Sequence, residues 1–120
     1  MKRVLVVDDD NDILMLVEML LRMNKFEVQA ISKWEQIDDS IENFSPQVIL
    51  LDVSLSGTDG RDICKKLKSA VKTSHIPVVL FSAHADVASN FKDCNAQAFI
   101  SKPFEINHLI EVLASDFAVA

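Results

Sequence analysis

Short apolar runs alternate with amphipathic segments along the whole chain. Five runs are continuous and rich in β-branched residues, which is the pattern of strands buried on both faces of a parallel sheet. They cover residues 2–7, 27–31, 48–51, 78–81 and 98–101. Because a helical segment follows each run, the pattern predicts five βα units with right-handed crossovers and helices on both faces of the sheet.

The segments between the runs carry apolar residues at helical spacing. The first helix is expected to begin at an N-cap on Asn11 or Asp12, and the turn of Thr58-Asp59-Gly60 is expected to open the third. The fourth, over residues 85–94, has the thinnest apolar stripe, and Asn95 after it suits a left-handed C-cap. The apolar positions are Ile13, Val17, Leu20 and Leu21; Ile37, Ile41 and Phe44; Ile63 and Leu67; Val87, Phe91 and Cys94; and Ile106, Leu109, Ile110, Leu113 and Phe117.

Four of the five strand runs end in a polar residue suited to handling a phosphoryl group. These ends are Asp8-Asp9, Asp52, Ser82 and Lys102. The carboxyl ends of parallel strands lie along one edge of an open α/β sheet, where ligands bind. Residues from most of the sequence are therefore expected to meet in one pocket. The run over 27–31 has no such residue and is expected at the border of the sheet, away from the pocket.

Three carboxylates in one pocket repel one another, and burying them is costly unless a cation is present. Mg²⁺ suits a few carboxylates together with waters and a phosphate oxygen, whereas Ca²⁺ prefers a fuller cage of protein oxygens. Asp8 and Asp9 could instead only cap the first helix. The hydroxyl of Ser82 can donate to a phosphoryl oxygen, and the ammonium of Lys102 can neutralise its charge.

Composition narrows the possible partners and location. The 120 residues carry a net charge of −6, which argues against direct binding to nucleic acid or to an anionic membrane. Cys64 and Cys94 lack metal-ligand spacing and are expected to be reduced thiols. No run approaches the length of a membrane span, so we expect a cytoplasmic protein.

Other ion-binding and phosphate-binding motifs fail on particular residues. Asp8, Asp10 and Asp12 mimic the first ligands of an EF-hand loop, but Ile13 stands where glycine is required and Met19 where glutamate is required. The chain also has no Walker A loop and no GxSxG nucleophile elbow.

A set of short motifs points more specifically to one family. The motifs are Val6-Val7-Asp8-Asp9, Leu50-Leu51-Asp52, Asp59-Gly60, Ser82-Ala83 and Lys102-Pro103-Phe104. Each is weak alone, but in this order and at these intervals they resemble the motif set of response-regulator receiver domains. The resemblance covers residues 1–120 as one receiver domain. It implies a flavodoxin-like, doubly wound α/β fold with strand order 2-1-3-4-5.

The resemblance also implies roles for the site residues. Asp52 would accept a phosphoryl group from a histidine kinase or a phosphotransfer protein. Asp8, Asp9 and Asp52 would hold Mg²⁺ together with the backbone carbonyl of Ser54, and Lys102 would neutralise charge during transfer. The domain would catalyse only its own phosphorylation and dephosphorylation, so it is not expected to be an enzyme acting on other substrates.

Switch and output positions follow from the same resemblance. Ser82 would move onto the phosphoryl group, Phe99 would occupy the aromatic switch position, and the bond to Pro103 would be cis. The alternative for Phe99 is an ordinary core phenylalanine of the last strand. The output surface would comprise the fourth helix, the fifth strand and the fifth helix. It would serve an unidentified downstream partner or effector domain, and phosphorylation-linked homodimerisation is plausible there.

The chain also departs from the family pattern. Leu55-Ser56 replaces the usual Met-Pro, and losing proline should loosen the loop that carries the third metal ligand. Ser54 and His84 occupy variable positions, and we hypothesise that they set the lifetime of the phosphoryl group. The ordinary alternative for His84 is a solvent-exposed residue without a role.

Two other functions compete with the signalling switch. A phosphatase resembling the haloacid dehalogenases would use Asp8 and Asp10, but Asp12 stands where that family expects Thr or Val, and Asp52 would have no role. A receiver-like scaffold that cannot be phosphorylated would not need the complete acceptor set that the sequence carries. A phosphoryl adduct that depends on Asp52 discriminates among the three.

Overall fold

Five parallel strands form the central sheet of the computed structural model, which describes residues 1–84 and 87–117. Their order is β2-β1-β3-β4-β5, so the predicted α/β fold and the border position of β2 are confirmed. The strands are β1 (Arg3–Val7), β2 (Glu27–Ile31), β3 (Val48–Asp52), β4 (Val78–Ser82) and β5 (Ala98–Ser101).

Helices follow the strands as the apolar spacing predicts. Turns of 3-10 helix precede the second helix, at Trp34–Gln36, and follow the fourth, at Phe91–Cys94. Within residues 1–84 and 87–117, no helix has the length and apolar content of a membrane span. The helices are α1 (Asn11–Met23), α2 (Ile37–Phe44), α3 (Gly60–Ser69), α4 (Val87–Asn90) and α5 (Ile106–Ala114).

The sheet separates two apolar cores, because successive strand residues point to opposite faces. Leu5 and Val7 face the core under α2 and α3, whereas Val4 and Val6 face the core under α1 and α5. Helix residues complete each core from outside. The main contributors are Ile37, Ile63 and Leu67 on the first side, and Leu14, Val17, Leu21, Leu109 and Leu113 on the second. Both cysteines are free and buried in the first core.

The ends of the first and fourth helices differ from the predicted ones. The N-cap of α1 is Asp10, one residue before those predicted, and its side chain accepts the amides of Asp12 and Ile13. The fourth helix was expected from Ala85, which lies outside the described residues, as does the side chain of Val87. Its predicted last turn is a 3-10 helix, at Phe91–Cys94. These differences concern local hydrogen bonding rather than topology.

The fifth helix is shorter than its apolar spacing suggests. It ends at Ala114, so Phe117 lies beyond it, although Phe117 still packs against the second core. Ile106 was expected on the buried face but is 47% exposed, because it is the first residue of the helix and projects at its end. Asn95 does adopt the predicted left-handed conformation, with φ of 66°.

A small hairpin between β3 and α3 was not predicted. Residues Ser54–Leu55 pair in antiparallel fashion with Thr58–Asp59. Asp59 then caps α3 by accepting the amide of Arg61. Gly60 follows, and its amide donates to the carbonyl of Val53 at 2.8 Å. A Cβ at Gly60 would lie 2.1 Å from the carbonyl oxygen of Asp52, so only glycine lets α3 start this close to β3.

Gly60→Ala is expected to lower the free energy of unfolding by about 1–3 kcal/mol, the usual cost of forcing a methyl group into packed structure. Gly57→Ala is the matched control. Gly57 has φ of 82° and open space around its Cβ position, so only backbone strain of about 1 kcal/mol is expected there. Urea denaturation of both variants measures the difference. Equal losses at the two sites would contradict the steric argument.

Candidate functional site

Three carboxylates meet at the carboxyl edge of the sheet. Asp8 follows β1, Asp52 ends the neighbouring β3, and Asp9 stands next to Asp8. One carboxylate oxygen of each lies within 4.8 Å of the others. Asp8 and Asp52 are almost fully buried, at 1% and 4% exposure, and Asp9 is half-buried. The structure therefore brings together all three acids that the strand ends pointed to.

Lys102 bridges the two buried carboxylates. Its Nζ lies 2.8 Å from Asp8 Oδ2 and 3.2 Å from Asp52 Oδ1. Its backbone amide donates to the carbonyl of Ser82 at 2.9 Å, which fixes the loop after β5 against the end of β4. The Lys102-Pro103 peptide bond is cis, as the resemblance implied.

An aromatic residue that sequence reasoning did not single out supports this lysine. The ammonium lies 4.6 Å from the centre of the Phe81 ring, a distance typical of a cation–π contact. Phe81 is fully buried, and Phe104 packs edge-on against it with ring centres 5.6 Å apart. The only sequence signal was the position of Phe81, directly before Ser82 at a strand end. That signal does not distinguish this role from ordinary core packing.

The electrostatics of the site raise the pKa of Asp52 well above the ordinary value of a carboxyl group. Burial, and then repulsion from Asp8, raise the pKa of Asp52 to about 6, although Lys102 and a backbone hydrogen bond from Ser54 act in the opposite direction. Burial alone would lower the pKa of Lys102, but its bonds to the two carboxylates raise it above its ordinary value. Lys102 is therefore a permanent cation beside a carboxylate that is mainly ionised at neutral pH.

Asp9 is held by the hairpin after β3. Both the amide and the hydroxyl of Ser56 donate to Asp9 Oδ2, each at 2.9 Å. The indole nitrogen of Trp34 in turn donates to the carbonyl of Ser56 at 3.1 Å. The looser loop that we expect from the loss of proline at position 56 stays a prediction. The structure shows that two hydrogen bonds attach this loop to a site carboxylate.

Ser82 and the variable positions lie on the other side of Asp52. Ser82 is 1% exposed, and its Oγ accepts the amide of His84 at 3.0 Å. His84 Nε2 lies 3.1 Å from Ser54 Oγ, so the two residues suspected of controlling lifetime are in contact. A metal-ligating role for the Ser54 carbonyl stays a prediction. Phe99, on β5, is half-buried, and its ring stacks on Phe91 at 6.2 Å.

The carboxylate set fits a hard divalent cation. Its oxygens are the ligand type that Mg²⁺ prefers, and two or three carboxylates leave room for waters and a phosphate oxygen. Asp10 takes no part in this cluster, because its side chain caps α1. The alternative in which Asp8 and Asp9 only cap that helix does not describe the structure, since Asp8 bonds Lys102 and Asp9 bonds Ser56.

Comparison with known proteins agrees with this geometry. The family described as "Response regulator receiver domain" matches residues 4–114. The receiver domain of NtrX from Brucella abortus is 31% identical and superimposes with a TM-score of 0.82, over 91% of this chain and 92% of that one. The chain belongs to the response regulator receiver domain family, the receiving component of two-component signalling systems.

Curated relatives place such domains in longer proteins. The DNA-binding response regulator MtrA of Mycobacterium tuberculosis is 30% identical over 91% of this chain, and the DNA-binding dual master transcriptional regulator RpaA of Synechocystis is 29% identical over 92%. The chain spans only about half the length of these relatives, 47% and 46% respectively. The expectation that this domain does not itself bind nucleic acid therefore stays a prediction.

Asp52→Asn is expected to raise the free energy of unfolding of the metal-free protein at pH 7 by about 1–3 kcal/mol. The folded-state pKa of Asp52, about 6, exceeds the ordinary value of 3.8, so folded protein holds this proton more tightly than unfolded protein. The contribution of Asp52 to stability is thus complete below pH 3.8 and is lost as pH rises through 6. Asparagine has no such dependence.

Urea denaturation in EDTA across pH 4 to 7 measures this difference. The stability of the variant and of the wild type should converge near pH 4 and separate towards pH 7. A stability difference between the two proteins that is largest at pH 4 would contradict this prediction. It would show that the folded protein stabilises the anionic form of Asp52 rather than destabilising it.

Proposed function

We propose that Asp52 accepts a phosphoryl group from a histidine kinase or a phosphotransfer protein in a Mg²⁺-dependent reaction. The observation that carries the proposal is the arrangement around Asp52. Two further carboxylates lie close enough to share a cation with it, and one ammonium contacts it directly. These groups would counter the negative charge of an incoming phosphoryl group, which a carboxylate nucleophile alone would repel.

The proposed transfer is an in-line displacement at phosphorus. A carboxylate oxygen of Asp52 forms the new P–O bond, while the P–N bond to the donor imidazole breaks and its electron pair stays on nitrogen. With a pKa of about 6, Asp52 is mostly ionised at pH 7 and so needs no general base. Lys102 would contact a phosphoryl oxygen and keep its bond to Asp8.

A bound Mg²⁺ would supply additional charge neutralisation at the transferring oxygens. Asp8, Asp9 and Asp52 would hold it with their carboxylates, and the backbone carbonyl of Ser54 would be a further ligand. Asp9 is already oriented by Ser56, and Asp8 accepts the amide of Asp10 at 2.9 Å, so neither carboxylate would need to be ordered by the ion itself.

The proposed output begins at Ser82. A hydroxyl both accepts and donates, so Ser82 can donate to a phosphoryl oxygen while it changes its contact with the His84 amide. Phe99 lies on the adjacent strand and stacks on Phe91, next to α4. A shift of Ser82 and Phe99 would alter the surface of α4, β5 and α5 for a downstream partner, an effector domain or a second copy.

This proposal makes the domain a cytoplasmic switch rather than an enzyme acting on other substrates. Its only chemistry would be its own phosphorylation and dephosphorylation, and its direct contacts would be with proteins rather than with nucleic acid or membrane. The phosphatase alternative is disfavoured because Asp10, its acid/base, caps α1 instead of entering the site. The scaffold alternative offers no reason for Lys102 to lie between two buried acids.

Incubation with acetyl phosphate and Mg²⁺, followed by intact-mass measurement, tests the proposal. Wild-type protein should gain one phosphoryl group, and EDTA or Asp52→Asn should abolish the gain. Asp10→Asn is the matched control: it should still be phosphorylated, because Asp10 only caps α1. Turnover of phosphate esters that is lost in Asp10→Asn would favour the phosphatase. No adduct and no Mg²⁺ binding would favour the scaffold.

His84→Ala is expected to shorten the half-life of the phosphorylated protein about fivefold, the equivalent of one hydrogen bond of about 1 kcal/mol. The contact between His84 and Ser54 joins the loop after β4 to the hairpin that follows Asp52, and we infer that it limits the approach of hydrolytic water. Ser54→Ala keeps the ring but removes its partner, and should give a smaller decrease. An unchanged half-life in His84→Ala would remove this role. The half-life of each of the three phosphorylated proteins is measured as the rate of phosphate release after the donor is removed.

A further inference from the structure

Ser56 connects a proposed metal ligand to the single tryptophan of the chain. Its amide and its hydroxyl both donate to the same oxygen, Asp9 Oδ2, at 2.9 Å. Its carbonyl accepts the indole N–H of Trp34 at 3.1 Å. One residue thus links the loop after β1, the hairpin after β3 and the 3-10 turn before α2.

The hairpin gives Ser56 a fixed position. Its two short strands pair at Ser54 with Asp59 and at Leu55 with Thr58, which leaves Ser56 and Gly57 as the turn. Asp59 also caps α3, so one end of the hairpin is anchored to a helix. The two donors of Ser56 are therefore presented to Asp9 by an ordered backbone.

Both bonds from Ser56 end on the same oxygen of the Asp9 carboxylate, which leaves the other oxygen for a different partner. A carboxylate oxygen has two lone-pair sites, and two donors occupy both of them on Oδ2. This leaves Oδ1 of Asp9 as the oxygen open to a cation shared with Asp8 and Asp52. Partners that fix the orientation of a metal ligand in this way affect affinity even though they never touch the metal.

We propose that Ser56 is a positioning residue for the metal site. Ser56 orients Asp9 through Oδ2, and it transmits a movement of Asp9 to Trp34. The inference rests on the proposed Mg²⁺ site and deepens it. Proline, which is the common residue at this position in receiver domains, has no N–H and no hydroxyl. A chain with proline there could make neither bond to Asp9, so this link is a property of this sequence.

Ser56→Pro separates positioning from folding. Gly57 has φ of 82°, while Ser56 does not lie in the positive-φ region. A turn with positive φ only at its second central residue accepts proline at its first, so the variant is expected to fold. The carbonyl at position 56, which contacts Trp34, is retained. Ser56→Ala is the graded control, because it keeps the amide donor and loses only the hydroxyl.

Mg²⁺ titrations of the three proteins, followed by calorimetry and by Trp34 fluorescence, test the proposal. Wild type should bind with a change in emission. Ser56→Pro should bind about 10-fold more weakly, the lower end of the effect of removing such a partner, and should lose most of the emission change. Ser56→Ala should fall between the two. Urea midpoints of both variants show that they are folded.

Each outcome decides the proposal. Equal Mg²⁺ affinity and equal emission change in wild type and Ser56→Pro would overturn it, and so would a lowered urea midpoint with unchanged affinity. Absence of Mg²⁺ binding by wild type would overturn this inference together with the proposed metal-dependent function. Weakened binding in Ser56→Pro, with no phosphorylation of wild type by acetyl phosphate, would support positioning and reject the phosphorylation.

Discussion

The contact of one ammonium with two buried carboxylates is the constraint on which the site depends. Asp8 and Asp52 are nearly inaccessible to water, and burial together with repulsion from Asp8 raises the pKa of Asp52. Lys102 holds them together at 2.8 and 3.2 Å. Under the proposed function, a cation and a phosphoryl group would replace or supplement this ion pair, and the site would then need little rearrangement of charge for the transfer.

The sheet order makes this contact possible. Asp8 and Asp52 follow the neighbouring strands β1 and β3, whereas Lys102 comes from the loop after β5, at the far border of the sheet. The lysine spans that gap by passing over the Phe81 ring, while its backbone is fixed to the end of β4. The close approach of Gly60 to the Asp52 carbonyl, and the hairpin beside it, hold the backbone that follows β3 next to the site.

Much of this could be predicted from sequence, because strand and helix periodicity are local signals. All five long strands occur where apolar runs indicated, and the acids, Ser82 and Lys102 meet at one edge because parallel strands leave no other arrangement. The residues of the site could therefore be predicted from the sequence, because their residue types and their positions at strand ends are local features. The border position of β2 was expected from the strand order that the family resemblance implied, and it agrees with the absence of such a residue at the end of β2.

The features that were not predicted depend on contacts between distant segments. The bond from Ser56 to Asp9 joins residues 47 apart, and the support of Lys102 by Phe81 depends on how a loop crosses a strand end. No periodicity encodes either contact. Helix ends were missed for a related reason: Asp10 and Asn11 are both good caps, and the α5 boundary depends on a local backbone choice at Ser115.

In the proposed function, the carboxylate of Asp52 itself becomes phosphorylated. Borohydride reduction after treatment with acetyl phosphate and Mg²⁺ tests this directly, because it converts an aspartyl phosphate into homoserine, which peptide mass spectrometry can locate. We expect homoserine at position 52 alone, with none formed in EDTA. Homoserine at position 8 or 9, or a stable phosphoryl group on a hydroxyl or imidazole side chain, would contradict it.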